Sequence, residues 1–251
     1  MNTEDRTKKI AVISGGFGYV GLAVARRLSK AGFSLALLYK NTTEEECATR
    51  LKELTGEGHR AYKCDLTNAE EVANILSLIE QEQGTITIAV HAAGQKPDRK
   101  KLHLTTLQEL ESQLQNNVVA SFNFLTAFGK NLKEHRSGVL VGITTIGLVV
   151  PDATKSLGGY IPAKYAVQGM LTMLRDELAP SGVRVYAIAP GFMPDGMNAD
   201  IPKAFVQMIE AKVPDKKLAQ ASDIADKIQM LYDTPPENDV FVIPIAPEYG
   251  M

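Results

Sequence analysis

Short apolar runs alternate along the chain with amphipathic stretches of helical length. Runs at Ile10–Ser14, Leu35–Tyr39, Arg60–Cys64, Ile86–Val90, Val139–Thr144, Val183–Ala189 and Val240–Ile245 predict strands. Most are continuously apolar rather than alternating, as expected where both faces of a strand are buried. Helical patterns fall between them at Leu22–Ala31, Glu44–Leu54, Asn68–Gln83, Leu107–Leu132 and Tyr160–Ala179. Thr43 and Glu46 have the spacing of a capping box at the start of the second helix. Gly32, Gly56, Gly58, Gly84 and the pair Pro180 and Gly182 stand where helices stop. Repeated strand–helix alternation gives an α/β chain: a doubly wound parallel sheet with helices on both faces. The expected organisation is one domain over residues 1–251, with a substrate-loop excursion at about 192–217.

Composition narrows the class. At 251 residues the chain has room for one large α/β domain, and 45% hydrophobic with 22% charged residues is ordinary for a soluble protein. A formal net charge of −2 argues against a nucleic-acid partner. Cys47 and Cys64 are too few for a disulfide framework and lack metal-ligand spacing, so two reduced thiols are expected. His59, His91, His103 and His135 are scattered, and no metal is expected. The polar segment Met1–Lys9 has no apolar signal core, and no apolar run reaches the ~18–20 residues of a membrane span. The expectation is a cytoplasmic protein with no membrane partner.

The turn after the first strand reads Ser14-Gly15-Gly16-Phe17-Gly18-Tyr19-Val20-Gly21, and Gly16-x-Gly18-x-x-Gly21 satisfies a dinucleotide-binding fingerprint. Glycine lets the chain turn sharply and lets phosphates approach the backbone, while the following helix offers N–H groups to the pyrophosphate. The second strand ends in Tyr39-Lys40-Asn41, with no acid to bond a free ribose 2′-hydroxyl. Lys40 can instead pair with a 2′-phosphate, so NADP(H) is expected over NAD(H), which remains an option.

Tyr160-Ile161-Pro162-Ala163-Lys164 places a tyrosine and a lysine one helical turn apart on one face. A free phenol titrates near ~10, and bringing it to ~7 takes ~4 kcal/mol in favour of the phenolate. One ammonium at ~4 Å in an effective dielectric of ~20 supplies about that much. The nearby Tyr165 has no lysine four residues on and is read as packing.

From about Lys8 to about Leu231 the chain resembles the short-chain dehydrogenase/reductase family, a Rossmann-like fold. The resemblance rests on the glycine turn, Asp65-Leu66-Thr67, Ala92-Ala93-Gly94, Asn117, Thr144-Thr145, Tyr160-x-x-x-Lys164 and Pro190-Gly191. Leu38-Tyr39-Lys40-Asn41 and Leu218–Ala225 look most like 3-oxoacyl-(acyl carrier protein) reductase-like members. The resemblance implies that Tyr160 is the general acid/base and that Lys164 tunes it and holds the nicotinamide ribose. Asn117 would hold a water that links Lys164 to solvent, and Thr145 would stand for the usual substrate-binding serine. It further implies that Asp65 accepts from the adenine amine, with Leu66 beside it, and that Ala92–Gly94 pack along the adenosine side. Residues from Ile188 to Pro190 and Gly191 would line the nicotinamide, with Met193 next to them. A homodimer or homotetramer built through the fourth and fifth helices is implied as well.

The chain departs from the family pattern at several places. Tyr19 stands where glycine is usual, His91 where asparagine is usual and Asp195 where a threonine is common. Thr145 lies two residues further from its tyrosine than the usual serine does, and no glycine pair occurs near the C-terminus. The leading expectation is an NADPH-dependent carbonyl reductase, or alcohol dehydrogenase in reverse. Its partner would be a small carbonyl or alcohol substrate, with acyl-carrier linkage as one option. The alternative is a non-catalytic NADP(H)-binding sensor or scaffold of the same fold. Substrate choice is expected in the loops Gln95–Thr105, Leu148–Gly159 and Phe192–Pro214.

Overall fold

The computed structural model describes residues 9–150, 156–213, 217–236 and 240–250. Its elements run β1 (Ile10–Ser14), α1 (Tyr19–Lys30), β2 (Ser34–Tyr39), α2 (Glu44–Leu51), β3 (Arg60–Lys63), α3 (Ala69–Gln83), β4 (Ile86–His91), α4 (Leu107–Gln113), a π turn (Leu114–Val119), α5 (Ala120–Glu134), β5 (Gly138–Ile143), α6 (Tyr160–Leu178), β6 (Val183–Pro190), α7 (Lys203–Glu210), α8 (Ala221–Asp233) and β7 (Val242–Ile245). The seven strands form one sheet in the order β3-β2-β1-β4-β5-β6-β7, and every pairing is parallel. The order reverses between β1 and β4, which opens a crevice beyond the carboxyl ends of those strands.

Alternate residues of each strand feed opposite faces. Ile10 and Val12 of β1 pack with Val72 and Ile79 of α3, Phe124 and Phe128 of α5, and Val167 and Leu171 of α6. Ala11 and Ile13 face the other way, onto Val24 and Leu28 of α1 and Ile224 and Ile228 of α8. Each apolar layer is fully withdrawn from water, and it is this two-sided burial that makes the strands read as unbroken apolar runs. Thr43 and Glu46 cap α2 reciprocally, with Glu46 N–H on Thr43 Oγ1 at 3.2 Å and Thr43 N–H on Glu46 Oε2 at 3.1 Å. Asn68 caps α3 through Oδ1.

Four elements differ from the periodicity reading. The first helix begins at Tyr19, directly after Gly18, so Tyr19, Val20 and Gly21 belong to its first turn. The helix expected over Leu107–Leu132 is split by the π turn, which contains Asn117. Two further helices lie where no helix is expected from the sequence: α7, inside the excursion at 192–217, and α8, although Ala221, Ile224, Ala225, Ile228 and Leu231 have helical spacing and are buried. Part of the expected loop at 148–159 lies outside the described residues, as do residues 214–216 of the excursion at 192–217 and most of Met1–Lys9.

Candidate active site

The glycine turn is demanded by contacts. Gly15 holds a left-handed φ of +62°, and a side chain there would meet the Ala93 backbone at 2.9 Å. A Cβ at Gly21 would stand 2.1 Å from the Gly15 carbonyl oxygen. No other residue fits either place, so α1 is drawn tight against the end of β1. The first intrahelical bond runs from Leu22 N–H to Gly18 O, which leaves the N–H groups of Tyr19, Val20 and Gly21 without intrahelical partners. Gly16 N–H bonds Leu38 O at 3.0 Å and ties the turn to β2. Phe17 meets the Tyr39 ring edge-on at 5.8 Å. A groove of about 450 Å³ borders the outer side of this turn near Arg50 and Ser222. It contains neither Tyr160 nor Lys164, so it borders the glycine turn and not the expected catalytic pair.

At the tip of β2, Lys40 Nζ lies 2.7 Å from Asp65 Oδ2, with Asn41 next in the chain. The same carboxylate accepts from Thr67 N–H at 3.0 Å and Thr67 Oγ1 at 2.8 Å. Lys40 and these bonds hold the Asp65 carboxyl below the ordinary carboxylate range. Leu66 is buried, and its carbonyl accepts from Asn123 Nδ2 at 2.9 Å. Register between β2 and β3 brings Lys40 and Asp65 to the same end of the sheet.

The residues expected to carry the chemistry lie across β4, β5 and α6. Tyr160 and Lys164 are both buried in the first turns of α6. Lys164 Nζ donates to Ile143 O at 2.9 Å and sits 5.6 Å from the Tyr160 ring centroid. Burial pushes the phenol above its ordinary value and brings the ammonium down to about 8. Asn117 and Lys164 converge on Gly94: a Cβ there would stand 2.9 Å from Asn117 Oδ1, 3.8 Å from Lys164 Nζ and 3.6 Å from Met197 Cε. Thr144 is buried and spends its hydroxyl on Ile188 O at 3.0 Å. Among the described residues Thr145 Oγ1 accepts from Gly147 N–H at 3.4 Å and donates to no partner. Pro190 ends β6, and Gly191 N–H bonds Ile245 O at 2.8 Å. Met193 packs on the α1 side of the sheet, and its carbonyl accepts from Asn198 Nδ2 at 2.8 Å.

Periodicity and motif gave no sign of the amide cluster that fastens the loop after β4. Asn117 Oδ1 accepts from Gln95 N–H at 3.0 Å, while its Nδ2 donates to Gln113 Oε1 at 2.7 Å. Gln113, wholly buried, donates onward to Lys96 O at 2.9 Å and Asp98 Oδ2 at 3.1 Å. Two consecutive polar turns on one helix face, Gln113 and Asn117, were the available signal. Beyond this cluster the loop meets the segment after β6. Arg99 grips Asp200 through Nη1 at 3.0 and 3.1 Å and Met197 O through Nη2 at 2.9 Å, and Lys96 pairs with the same Asp200. Tyr19 touches this segment too: a Cβ at Gly196 would meet Tyr19 Cβ at 2.8 Å, and the phenol donates to Gln220 Oε1 at 3.2 Å. Among the described residues no cluster of three or more His, Cys, Asp or Glu could hold a metal ion, and no helix is long and apolar enough to cross a membrane.

Comparison with known proteins agrees with this fold. A family model described as enoyl-(acyl carrier protein) reductase matches residues 19–234. A 3alpha-hydroxysteroid dehydrogenase of Mediterraneibacter gnavus is 28% identical over 225 residues, covering 89% of each chain. A 3-oxoacyl-[acyl-carrier-protein] reductase of Bos taurus is 26% identical over 227 residues, covering 90% of this chain and 92% of that protein. In fold, the chain superposes on the structure of ElxO with NADP bound, with a TM-score of 0.86 at 22% identity over 97% of this chain and 99% of the other. With its seven-stranded parallel sheet, its glycine turn at the β1/β4 switch and a family match over most of its length, the chain belongs to the short-chain dehydrogenase/reductase family of NAD(P)-dependent oxidoreductases.

Proposed function

We propose that this chain is an NADP(H)-dependent carbonyl reductase that runs in reverse as an alcohol dehydrogenase. One observation carries the reading: Lys164, on the same α6 face as Tyr160, and Asn117 both aim at Gly94, beyond the carboxyl edge of the sheet. The residues present suit a dinucleotide. No side chain fits at Gly15 or Gly21, which keeps the turn narrow, and the N–H groups of Tyr19, Val20 and Gly21, without intrahelical partners, are offered to an anion. Lys40 is the cation for a 2′-phosphate, in competition with Asp65. NAD(H), with no phosphate to draw Lys40 away from Asp65, binds more weakly in this account. Tyr39, Asn41, Leu66, Ala92, Ala93, Pro190, Gly191 and Met193 complete the walls of the crevice.

When bound, the nicotinamide supplies the hydride that reaches the carbonyl carbon. Tyr160 gives its phenolic proton to the carbonyl oxygen. Burial holds the phenol above its ordinary value, the reverse of the lowering expected from Lys164, so it is protonated at neutral pH. It depends on the Lys164 ammonium to become a better acid, and a base in the reverse direction. Lys164, at about 8, is the neighbouring acid that returns a proton to the phenolate once Nζ swings from Ile143 O to the phenol oxygen. Thr145 polarises the substrate oxygen with its free hydroxyl proton. Asn117 holds Gln95 and, with it, the loop that borders the substrate.

The substrate class is a small ketone, and acyl-carrier-linked ketones come first for assay because of the family description. The apolar exposed residues Phe122 of α5 and Tyr165 and Met173 of α6 support a homodimer or homotetramer through these helices. Two buried free thiols, Cys47 and Cys64, suit a single domain working in the reducing cytoplasm. A panel of ketones, acyl-carrier thioesters included, assayed by NADPH absorbance tests the reading. Turnover of at least one ketone is expected, and no turnover on any of them with NADPH bound contradicts it.

A further inference from the structure

We propose that His91 is a positioning residue of this site. As a neutral imidazole with its proton on Nε2, it splints the backbone N–H groups of Ala92 and Ala93, through Ser14 and Ser121, to the carbonyl of Asn117. Its effect on turnover rests on the role given above to Lys164 and Asn117. Its hydrogen-bond geometry does not.

The proton order follows from counting donors and acceptors. Ser14 Oγ accepts Ala92 N–H at 3.1 Å and Ala93 N–H at 3.2 Å. A hydroxyl has two acceptor sites and one proton, so the Ser14 proton must go elsewhere. The remaining partner is His91 Nδ1, at 2.8 Å. Nδ1 is therefore bare, and the neutral ring carries its hydrogen on Nε2. That hydrogen points at Ser121 Oγ, 2.8 Å away. Ser121, having accepted it, turns its own proton onto Asn117 O. Every link is directed the same way, from the loop after β4 through the ring to the π turn.

Burial makes the order strict. Ser14, His91, Asn117 and Ser121 are each 1% exposed or less, so no water can mend a misdirected bond. The Phe124 ring lies 5.1 Å from the imidazole and holds its plane. Protonation would set an N–H against Ser14, whose lone pairs are already used, and add a second cation near Lys164. Burial and Lys164 together keep the ring far below its ordinary value, at about 3, and thus neutral. The splint matters because its two ends border the same spot. Gly94 follows Ala93 in the chain, and Asn117 Oδ1 and Lys164 Nζ converge on it. If the ring were lost, the crevice wall and the π turn could shift independently, and displacements of this kind near reacting groups cost rate steeply.

The test combines spectroscopy with two variants. In protein labelled with 15N-histidine at pH 7, the His91 signals, assigned by their loss in His91→Gln, should show a protonated Nε2 and a bare Nδ1. A Nδ1–H tautomer or an imidazolium would overturn the proposal. Ser121→Ala removes the donor to Asn117 and should lower kcat roughly tenfold with NADPH affinity unchanged, while Ser121→Thr, which keeps a hydroxyl, should restore it. An unchanged kcat in a folded Ser121→Ala protein counts against the splint. If the wild type reduces no ketone, the carbonyl-reductase reading fails, but the tautomer and the NADPH affinity of Ser14→Ala still decide the splint. That variant frees the Ala92 and Ala93 N–H groups and should bind NADPH several-fold more weakly, whereas wild-type affinity would overturn the proposal.

Discussion

Lys164 Nζ donates to the carbonyl oxygen of Ile143 at 2.9 Å, so the cation of the reacting pair is tied to the end of β5 and lies over the Tyr160 ring rather than on its oxygen. This buried charge is a cost to folding. An ammonium brought from 10.5 down to about 8 is disfavoured by roughly 3 kcal/mol at pH 7. The sign is that of a depressed folded value: the penalty is complete below pH 8 and fades as pH rises towards the unfolded value of 10.5. Lys164→Met should therefore abolish turnover while raising the stability of the cofactor-free protein. The orphaned Ile143 carbonyl offsets part of the gain, leaving about 1–2 kcal/mol, or an increase of about 2–8 °C in Tm. Calorimetry of the two proteins checks this, and a fall in Tm would mean that the ammonium stabilises the fold.

His91 makes stability depend on acid. Its folded value of about 3 lies below the unfolded value of 6.5, so its contribution is complete above pH 6.5 and drains away as pH falls towards 3. Lys164, charged throughout that range, is the group facing it that resists protonation. Between pH 6.5 and 4.5 the wild type should lose roughly 2–3 kcal/mol that a folded His91→Gln variant does not lose. Urea unfolding at several pH values reads the difference, and parallel slopes for the two proteins would contradict a neutral His91.

Lys40 should set cofactor choice. Lys40→Ala removes the cation for the 2′-phosphate and should weaken NADPH roughly tenfold, about 1.4 kcal/mol, while leaving NADH nearly unchanged. Added salt should weaken NADPH more than NADH in the wild type and not in the variant. Titration calorimetry measures both. Equal losses for the two cofactors would remove Lys40 from the 2′-phosphate site.

Asp200 holds the segment after β6 against the loop after β4, through Arg99 and Lys96. Because these are exposed ion pairs, Asp200→Ala should change global stability by less than about 1 kcal/mol. Local opening is a different matter, since the segment has few other ties to that loop. Hydrogen exchange at residues 196–200 should speed up several-fold in the variant, and unchanged protection would mean that Met197 and Tyr19 anchor the segment without the ion pairs.

The sheet was legible because burial on both faces leaves a simple trace: runs such as Ile10–Ser14 have no polar side to place. That Tyr160 and Lys164 lie together was legible because a helix fixes where residues four apart must point. The π turn was not, because it interrupts an otherwise unbroken helical pattern without changing which residues are apolar. The helix Ala221–Asp233 carries an apolar stripe that could have been read. Lys40 was read as a phosphate ligand, and its partnership with Asp65 depends on strand register, which composition does not reveal. His91 registered only as a departure from a pattern. Its partners Ser14 and Ser121 lie 77 and 30 residues away, and only the fold unites them.

If the Tyr160 phenol delivers the proton in carbonyl reduction, Tyr160→Phe removes the chemistry and spares the cofactor. The variant keeps the ring over which Lys164 lies and removes one oxygen. It should bind NADPH with wild-type affinity by calorimetry and show no turnover of any ketone the wild type reduces. Turnover at a rate comparable to wild type would contradict the account.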